Sequence, residues 1–351
     1  MTELLVGTKK GLFALEGDAG GPFAVAARAF AGEPVEYAMR DPRSGRVLAT
    51  TTSPIYGPKI FYADDPGGEW TQAAGVELPE GDTALERIWV IVPAEDGTLY
   101  MGGDPGVLFT SADGGATWEL NRSLWEHPTR PEWQPGGGGL CLHSIAPWPG
   151  EPERLALAMS AVGVWLTEDG GATWSHGNEG LNAGYLPEDA GPTLTFCVHN
   201  MHRAPKRPER MFMQFHGGVY RSDDAGASWT PIGEGLPSDF GFPMAVDPAD
   251  PDSAYVIPLT ADVDRVTPDG RVRVFETRDA GASWTPRGDG LPSEHAYLTV
   301  LRQAFDRAGE GDSLELYFGA TSGDVFGSGD AGGHWFTAAA HLPPVYSVRT
   351  G

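Results

Sequence analysis

Cysteine is nearly absent: Cys141 and Cys197 are the only two in 351 residues. Two thiols make no disulfide framework, and their spacing is not that of a CxxC redox or metal motif, so the expectation is a pair of reduced core thiols. Positive charge is scarce as well. The chain has 24 Lys and Arg against 48 Asp and Glu, a net charge of −24. Such a chain repels phosphate backbones and anionic lipid, which argues against nucleic acid and membrane as partners. No apolar run approaches the roughly 18 residues of a spanning helix. The start of the chain (Met1, Thr2, Glu3, Leu4, Leu5) has no basic region, long apolar stretch or cleavage site, so the sequence reads as cytoplasmic. Compact catalytic signatures are missing too. Gly136 to Gly139 is not followed by Lys-Ser/Thr as a phosphate loop would be, and neither GxSxG nor HExxH occurs.

What is abundant is turn chemistry: 49 Gly, 30 Pro and 11 Trp, with 40% hydrophobic residues. That density of helix breakers points away from helical bundles and toward many short strands joined by tight turns.

A repeat organises the strands. Ser111-Ala112-Asp113-Gly114-Gly115-Ala116-Thr117-Trp118 returns as Thr167 to Trp174, Ser222 to Trp229, Thr277 to Trp284 and Ser328 to Trp335. Upstream, Ala63 to Trp70 keeps Asp65, Gly67 and Trp70 without the leading hydroxyl, and Glu16 to Phe23 is a weaker copy with Phe23 in the Trp position. From Phe23 to Trp335 the successive intervals are 47, 48, 56, 55, 55 and 51 residues. Seven units of this length predict an all-β, seven-bladed propeller of four-stranded antiparallel blades, filling residues 1–351 as a single domain. The N-terminus begins at the second strand of a blade whose innermost strand is Val345 to Val348, so pairing of the C-terminal strand with N-terminal strands should close the ring.

The eight-residue segment resembles the Asp-box (BNR) repeat of sialidases, tandem-propeller xyloglucanases, the sortilin luminal domain and a photosystem II assembly factor. The resemblance implies that Asp65, Asp113, Asp169, Asp224, Asp279 and Asp330 serve the fold, on the face away from any active site. It also implies a sialidase-like or glycosyl-hydrolase-like protein, because the relatives include such enzymes. A true sialidase would need an Arg-Ile-Pro segment near the start. Here Arg87-Ile88 is followed by Trp89, and seven units replace the sialidases' six blades.

The opposite face, built from second-to-third-strand turns and blade connections, is where a ligand is expected. The connections include Glu126 to Gly139 and Asn182 to Thr195, and an insertion carries Asp262, Asp264 and Arg265. Aligning inner strands on Pro152-Glu153-Arg154 and Pro208-Glu209-Arg210 places Cys141 with Cys197 and His143 with His199, with Trp89, Met244 and Gln303 as further members of the column. The expected funnel holds His143, His216, Glu86 and Glu132 as catalytic candidates, with Arg87, Trp89, Asp104, Trp133, His199 and Arg302 as ligand-binding ones. Aromatic rings beside Arg, carboxylate and His suit a small polar or carbohydrate-like ligand. Two carboxylates among Glu86, Asp104, Glu132 and Asp262 could hydrolyse a glycoside. His143, His199 and His216 could instead hold a divalent metal, which would make the protein a metal-dependent hydrolase. The remaining alternative is a non-catalytic scaffold that binds a partner protein across the same face.

Overall fold

The computed structural model describes residues 1–81, 83–184, 196–261 and 263–351. Seven four-stranded antiparallel sheets, each wound from an inner strand to an outer one, follow one another around a ring. The chain is a seven-bladed β-propeller. Among the described residues helix is limited to one turn at Arg122–Trp125 and three 3-10 turns. Numbered in chain order, blade 1 is the closing blade. Its inner strand is the C-terminal Val345–Thr350, which pairs antiparallel with Thr2–Thr8, followed by Gly11–Gly17 and Ala24–Ala29.

Middle strands are short apolar runs because neighbouring blades cover both of their faces. Met211–Phe215 in blade 5 and Ala254–Pro258 in blade 6 are buried at every residue. The cores therefore lie between sheets: Leu4 and Phe13 of blade 1 belong to one cluster with Tyr317, Phe318 and Val325 of blade 7.

The repeated turn joins third to fourth strand, and its hydrogen bonds explain its residues. In blade 4 the Thr167 hydroxyl donates to Asp169 Oδ1 at 2.8 Å and accepts from the Gly171 N–H at 2.9 Å, while Thr173 N–H donates to the same Asp oxygen at 2.9 Å. Blades 3, 5, 6 and 7 repeat this through Ser111, Ser222, Thr277 and Ser328. In blade 2, where Ala63 has no hydroxyl to offer, Asp65 turns instead to the Gly67 N–H at 2.7 Å. In blades 4, 5 and 6 the Trp that ends the turn reaches back to the preceding blade, whereas Trp70 and Trp118 bond within their own turns. Trp229 Nε1 donates to Gly177 O, and Trp284 Nε1 to Ile232 O. Phe23 does the same by packing, 5.6 Å from the Tyr317 ring. Gly180 and Gly290 follow from this contact: both have positive φ, and a Cβ at either would collide with the carbonyl of the next blade's Trp229 or Trp335.

Ser328 is fully buried. Ser328→Ala would strand the buried Gly332 N–H and remove one of the hydrogen bonds to Asp330, so it should destabilise the protein by about 1–3 kcal/mol. Urea titration monitored by Trp fluorescence measures this, and an unchanged midpoint would show that the turn contributes nothing to stability.

Candidate functional site

One irregularity recurs on the inner strands. In blades 1 to 5 a single residue is skipped by the pairing with the second strand: Tyr346, Glu36, Trp89, His143 and His199 respectively. Blade 6 has the equivalent shift at Phe242 and Pro243. An extra residue of this kind is left out of the ladder and re-aimed, a device common beside functional sites. The shifts fall at the starts of the inner strands, so the re-aimed side chains gather at the channel mouth on the face opposite the repeated turns.

Four of them, Glu36, Trp89, Phe242 and Tyr346, line a cavity of about 290 Å³ together with Arg87, Arg265 and Arg302. The guanidiniums are stacked against its aromatic rings. Arg87 lies 4.9 Å from the Trp89 ring centre, Arg302 lies 5.0 Å from Trp89 and 5.5 Å from Phe242, and Arg265 lies 5.4 Å from Phe242. Arg302 is also anchored, donating from Nε to the His199 carbonyl at 2.8 Å. Burial, reinforced by repulsion from Arg265 and Arg87, pulls Arg302 below the ordinary arginine range. Glu36 is the one carboxylate lining the cavity; it lies 3.6 Å from Arg87, and burial raises its pKa in spite of that partner. Trp89 Nε1 is buried with no hydrogen-bond partner.

Below the mouth a polar network crosses the channel. His143 Nε2 donates to Val198 O at 2.9 Å, so the ring is the Nε2–H tautomer and its Nδ1 takes the Ser144 hydroxyl at 3.0 Å. His199 Nδ1 donates to Gly241 O at 2.7 Å. Each His thus ties its inner strand to the next blade, and burial holds both well below the usual imidazole range. Gln303 Nε2 reaches across to His143 O at 2.8 Å, and Asn200 Nδ2 to Arg302 O at 3.0 Å. Beyond this network a larger cavity of about 730 Å³ opens on the face of the repeated turns. Two of its guanidiniums are engaged: Arg40 pairs with Glu3 at 2.7 Å, and Arg349 donates to the Tyr37 hydroxyl at 2.8 Å and bonds Gln303.

Of the residues singled out in the sequence, Arg87, Trp89 and Arg302 meet in the mouth, with His199 and His143 in the network beneath it. Asp104 lies beside the mouth, within electrostatic reach of Arg87 and 3.6 Å from Cys141 Sγ. Burial raises the Asp104 carboxyl and pushes the Cys141 thiol up to about 12, a value that removes it as a nucleophile. Glu86 is exposed near Asp104. Glu132 is exposed on a 3-10 turn and lines neither channel cavity. Trp133 is not at the mouth: it is buried in the core between blades 3 and 4, its ring 4.9 Å from Trp165. His216 opens on a separate cavity of about 510 Å³ with Tyr220, Asp239 and Phe240. Met244, aligned into the inner column, is core, and Phe242 takes the channel position instead. The expected three-histidine group does not form: His143 is committed at both nitrogens, and Cys197 joins His199 and His216 in its place. Asp262 and residues 185–195 of the long blade 4 to blade 5 connection lie outside the described residues.

Glu36 and Tyr346 were not anticipated. The available signal was positional, since Val35-Glu36-Tyr37 occupies the same place in its blade as Ile88-Trp89-Val90 and Val198-His199-Asn200.

The chain matches no family model. A xyloglucanase from a Paenibacillus species is 26% identical over 263 residues, covering 67% of this chain and 24% of that protein. Among solved structures, an ancestral GH74 enzyme superposes with a TM-score of 0.57 at 16% identity, over 99% of this chain and 40% of its own. YCF48 bound to D1 peptide superposes with a TM-score of 0.53 at 14% identity, over 97% of this chain and 88% of its own. The likeness is one of fold. The chain spans about a quarter of the length of the xyloglucanase and less than half that of the GH74 enzyme.

Proposed function

We propose that the protein binds a small carbohydrate-like ligand bearing an acidic group, at the arginine mouth of the channel. The observation that carries this reading is a contrast of charge. A chain of net charge −24 gathers three guanidiniums and one carboxylate around a cavity of about 290 Å³. Converging cations in a concave site attract and orient an anion, and the rings of Trp89, Phe242 and Tyr346 offer faces for a sugar. The buried Trp89 Nε1–H supplies a donor for a ligand oxygen. The resemblance of the repeated turn to the Asp box of glycoside hydrolases, and the fold shared with a GH74 enzyme, support a carbohydrate-like ligand.

Calorimetry with acidic and neutral sugars of matched size tests this. The acidic members should bind more tightly, and Arg87→Gln or Arg265→Gln should each weaken them about tenfold or more, the usual scale for a lost charge-assisted hydrogen bond. Equal binding of acidic and neutral sugars, or binding insensitive to both substitutions, would overturn it. Hydrolysis is read in the same mixtures. Glu36 and Asp104 both carry raised pKa values beside Arg87, the property needed in a general acid, so turnover should disappear in Glu36→Gln.

A second reading, the protein scaffold, has its own observation. Among the described residues, four of the six exposed large hydrophobics, Ile55, Tyr56, Val263 and Tyr297, lie in connections on the same face as the mouth, the others being Met1 and Val25 of blade 1. Under that reading Ile55→Ser with Tyr56→Ser abolishes partner capture while sugar affinity at the mouth stays unchanged.

A further inference from the structure

One cluster of metal-ligating side chains lies against the arginine mouth without lining it, the His199 ring being 4.7 Å from that of Phe242. The ligand atoms of Cys197, His199 and His216 all lie within 4.8 Å of one another. We propose that these three residues form a binding site for a thiophilic divalent ion of the zinc type, with the fourth coordination position left to water or to a ligand entering from the cavity that His216 lines.

The backbone brings the three together. His216 N–H donates to the Cys197 carbonyl at 3.0 Å, closing the hairpin formed by the first two strands of blade 5 so that the residues before and after it meet. His199 is the residue skipped by the ladder, and the irregularity turns it off the regular alternation of its strand. Its tautomer is fixed as well. Nδ1–H donates to Gly241 O at 2.7 Å, which leaves Nε2 as the unprotonated nitrogen that a metal requires. A backbone carbonyl behind a ligating imidazole is the usual outer-shell support of such a site.

The chemistry of the donor set selects the ion. One sulfur and two imidazoles suit zinc and its neighbours in the transition series and do not suit magnesium or calcium, which take oxygen. Ligand bonds of about 2.0–2.3 Å put tetrahedral ligands roughly 3.3–3.8 Å apart, so the cluster needs only a small contraction. Burial raises the Cys197 thiol above its ordinary range, with the Arg302 charge, the Ala161 N–H and the Ser160 hydroxyl acting against that rise, so the bound metal itself has to displace the proton. Arg265 and Arg302 also repel a dication, and the thiolate charge offsets part of that repulsion. A site of three histidines would have no such compensation. Binding displaces the thiol proton to solvent.

The experiment uses the full chain freed of metal by chelation and titrated with Co²⁺, then with Zn²⁺. Expected is one equivalent of Co²⁺ per chain with sulfur-to-cobalt charge-transfer absorption, displaced by Zn²⁺ and unaffected by Mg²⁺. Cys197→Ser should remove the charge-transfer band, His216→Ala should weaken binding at least tenfold, and Cys141→Ser should change neither. Absence of stoichiometric Co²⁺ binding, or a sulfur band that survives in Cys197→Ser, would overturn the proposal. Alkylation of the wild-type chain needs no variant to fold: Zn²⁺ should slow modification of Cys197 and leave that of Cys141 unchanged. Equal rates with and without Zn²⁺ would count against the site.

Discussion

Between pH 7 and pH 5 the metal-free protein should lose about 5–6 kcal/mol of stability, well before its carboxylates begin to protonate. The groups responsible are His143, His199 and His202, and burial holds His199 well below its usual range as it does His143. His143 is 1% exposed with both ring nitrogens committed, and burial holds it well below 6.5. His202 faces the lower cavity, and burial with repulsion from Arg349 and Arg307 lowers it to about 4. In the unfolded chain all three take up a proton near pH 6.5, while in the folded chain none does. Unfolding is therefore proton-coupled below pH 6.5. Each histidine removes up to about 1.4 kcal/mol per pH unit until its folded pKa is reached, somewhat less for His202, which is partly open to solvent.

A second, steeper loss should follow at lower pH with the same overall direction from a different cause. The repeated-turn aspartates Asp113, Asp169, Asp224, Asp279 and Asp330, together with Glu276, have lowered pKa values in the folded protein, Asp169 to about 2. Their contribution is complete above the unfolded carboxylate pKa of about 4 and disappears as pH falls toward the folded values. Glu36 and Asp104, whose pKa values are raised, act in the opposite sense and blunt the loss slightly. Urea midpoints at pH 7, 6 and 5 measure the first phase. A flat profile over that interval would refute it, and in His202→Gln the slope should fall by about a third.

The fold was legible because its information is local and repeated. Each blade has to be closed at its outer edge, and the hydroxyl, Asp, Gly and Trp of the turn are what those hydrogen bonds and that packing require. The interval between Trp residues therefore counts the blades directly. Closure by the C-terminal strand followed from arithmetic as well, since a chain that begins at Thr2 with a second strand leaves its first strand to be supplied by Val345–Thr350.

The site was legible only in part, for a reason that lies in the inner strands. Arg87, Trp89 and Arg302 were found because they sit near an alignable column. Glu36 and Tyr346 were left out because their convergence depends on a register shift that is invisible in composition, whereas Arg265 was placed on the ligand face by its insertion without being assigned to the mouth. A regular strand would have sent alternate residues to the channel. The extra residue in each blade breaks that alternation, so residues as different as Glu36, Trp89, His143 and Tyr346 become equivalent. Histidine chemistry misled for a related reason. His143 and His199 share a column because both tie adjacent strands through backbone carbonyls, and it is Cys197, outside the ladder, that sits with His199 and His216.

Trp165→Ala should be the most damaging single substitution among the tryptophans, at about 3–5 kcal/mol. Trp165 is completely buried in blade 4, donates from Nε1 to Val162 O at 3.1 Å, and is ringed by His176 at 4.0 Å, His127 at 4.7 Å and Trp133 at 4.9 Å. Two of these neighbours, His127 and Trp133, belong to the long connection between blades 3 and 4, so the Trp165 ring holds that segment to blade 4, while Arg130 ties it to blade 3 through the Pro105 and Gly106 carbonyls. Trp133 in turn packs under the Arg130 guanidinium and donates from Nε1 to Thr129 Oγ1 at 3.0 Å. Trp133→Ala should accordingly destabilise the protein on the same scale, while Trp165→Phe, which keeps most of the ring contact, costs less. Because neither tryptophan lines the arginine mouth, sugar affinity measured where the variants are still folded should equal that of the wild type. The 126–139 segment meets the mouth through Gly138, so loss of ligand binding in Trp133→Ala at unchanged stability would extend the binding surface from the mouth over the rest of that segment.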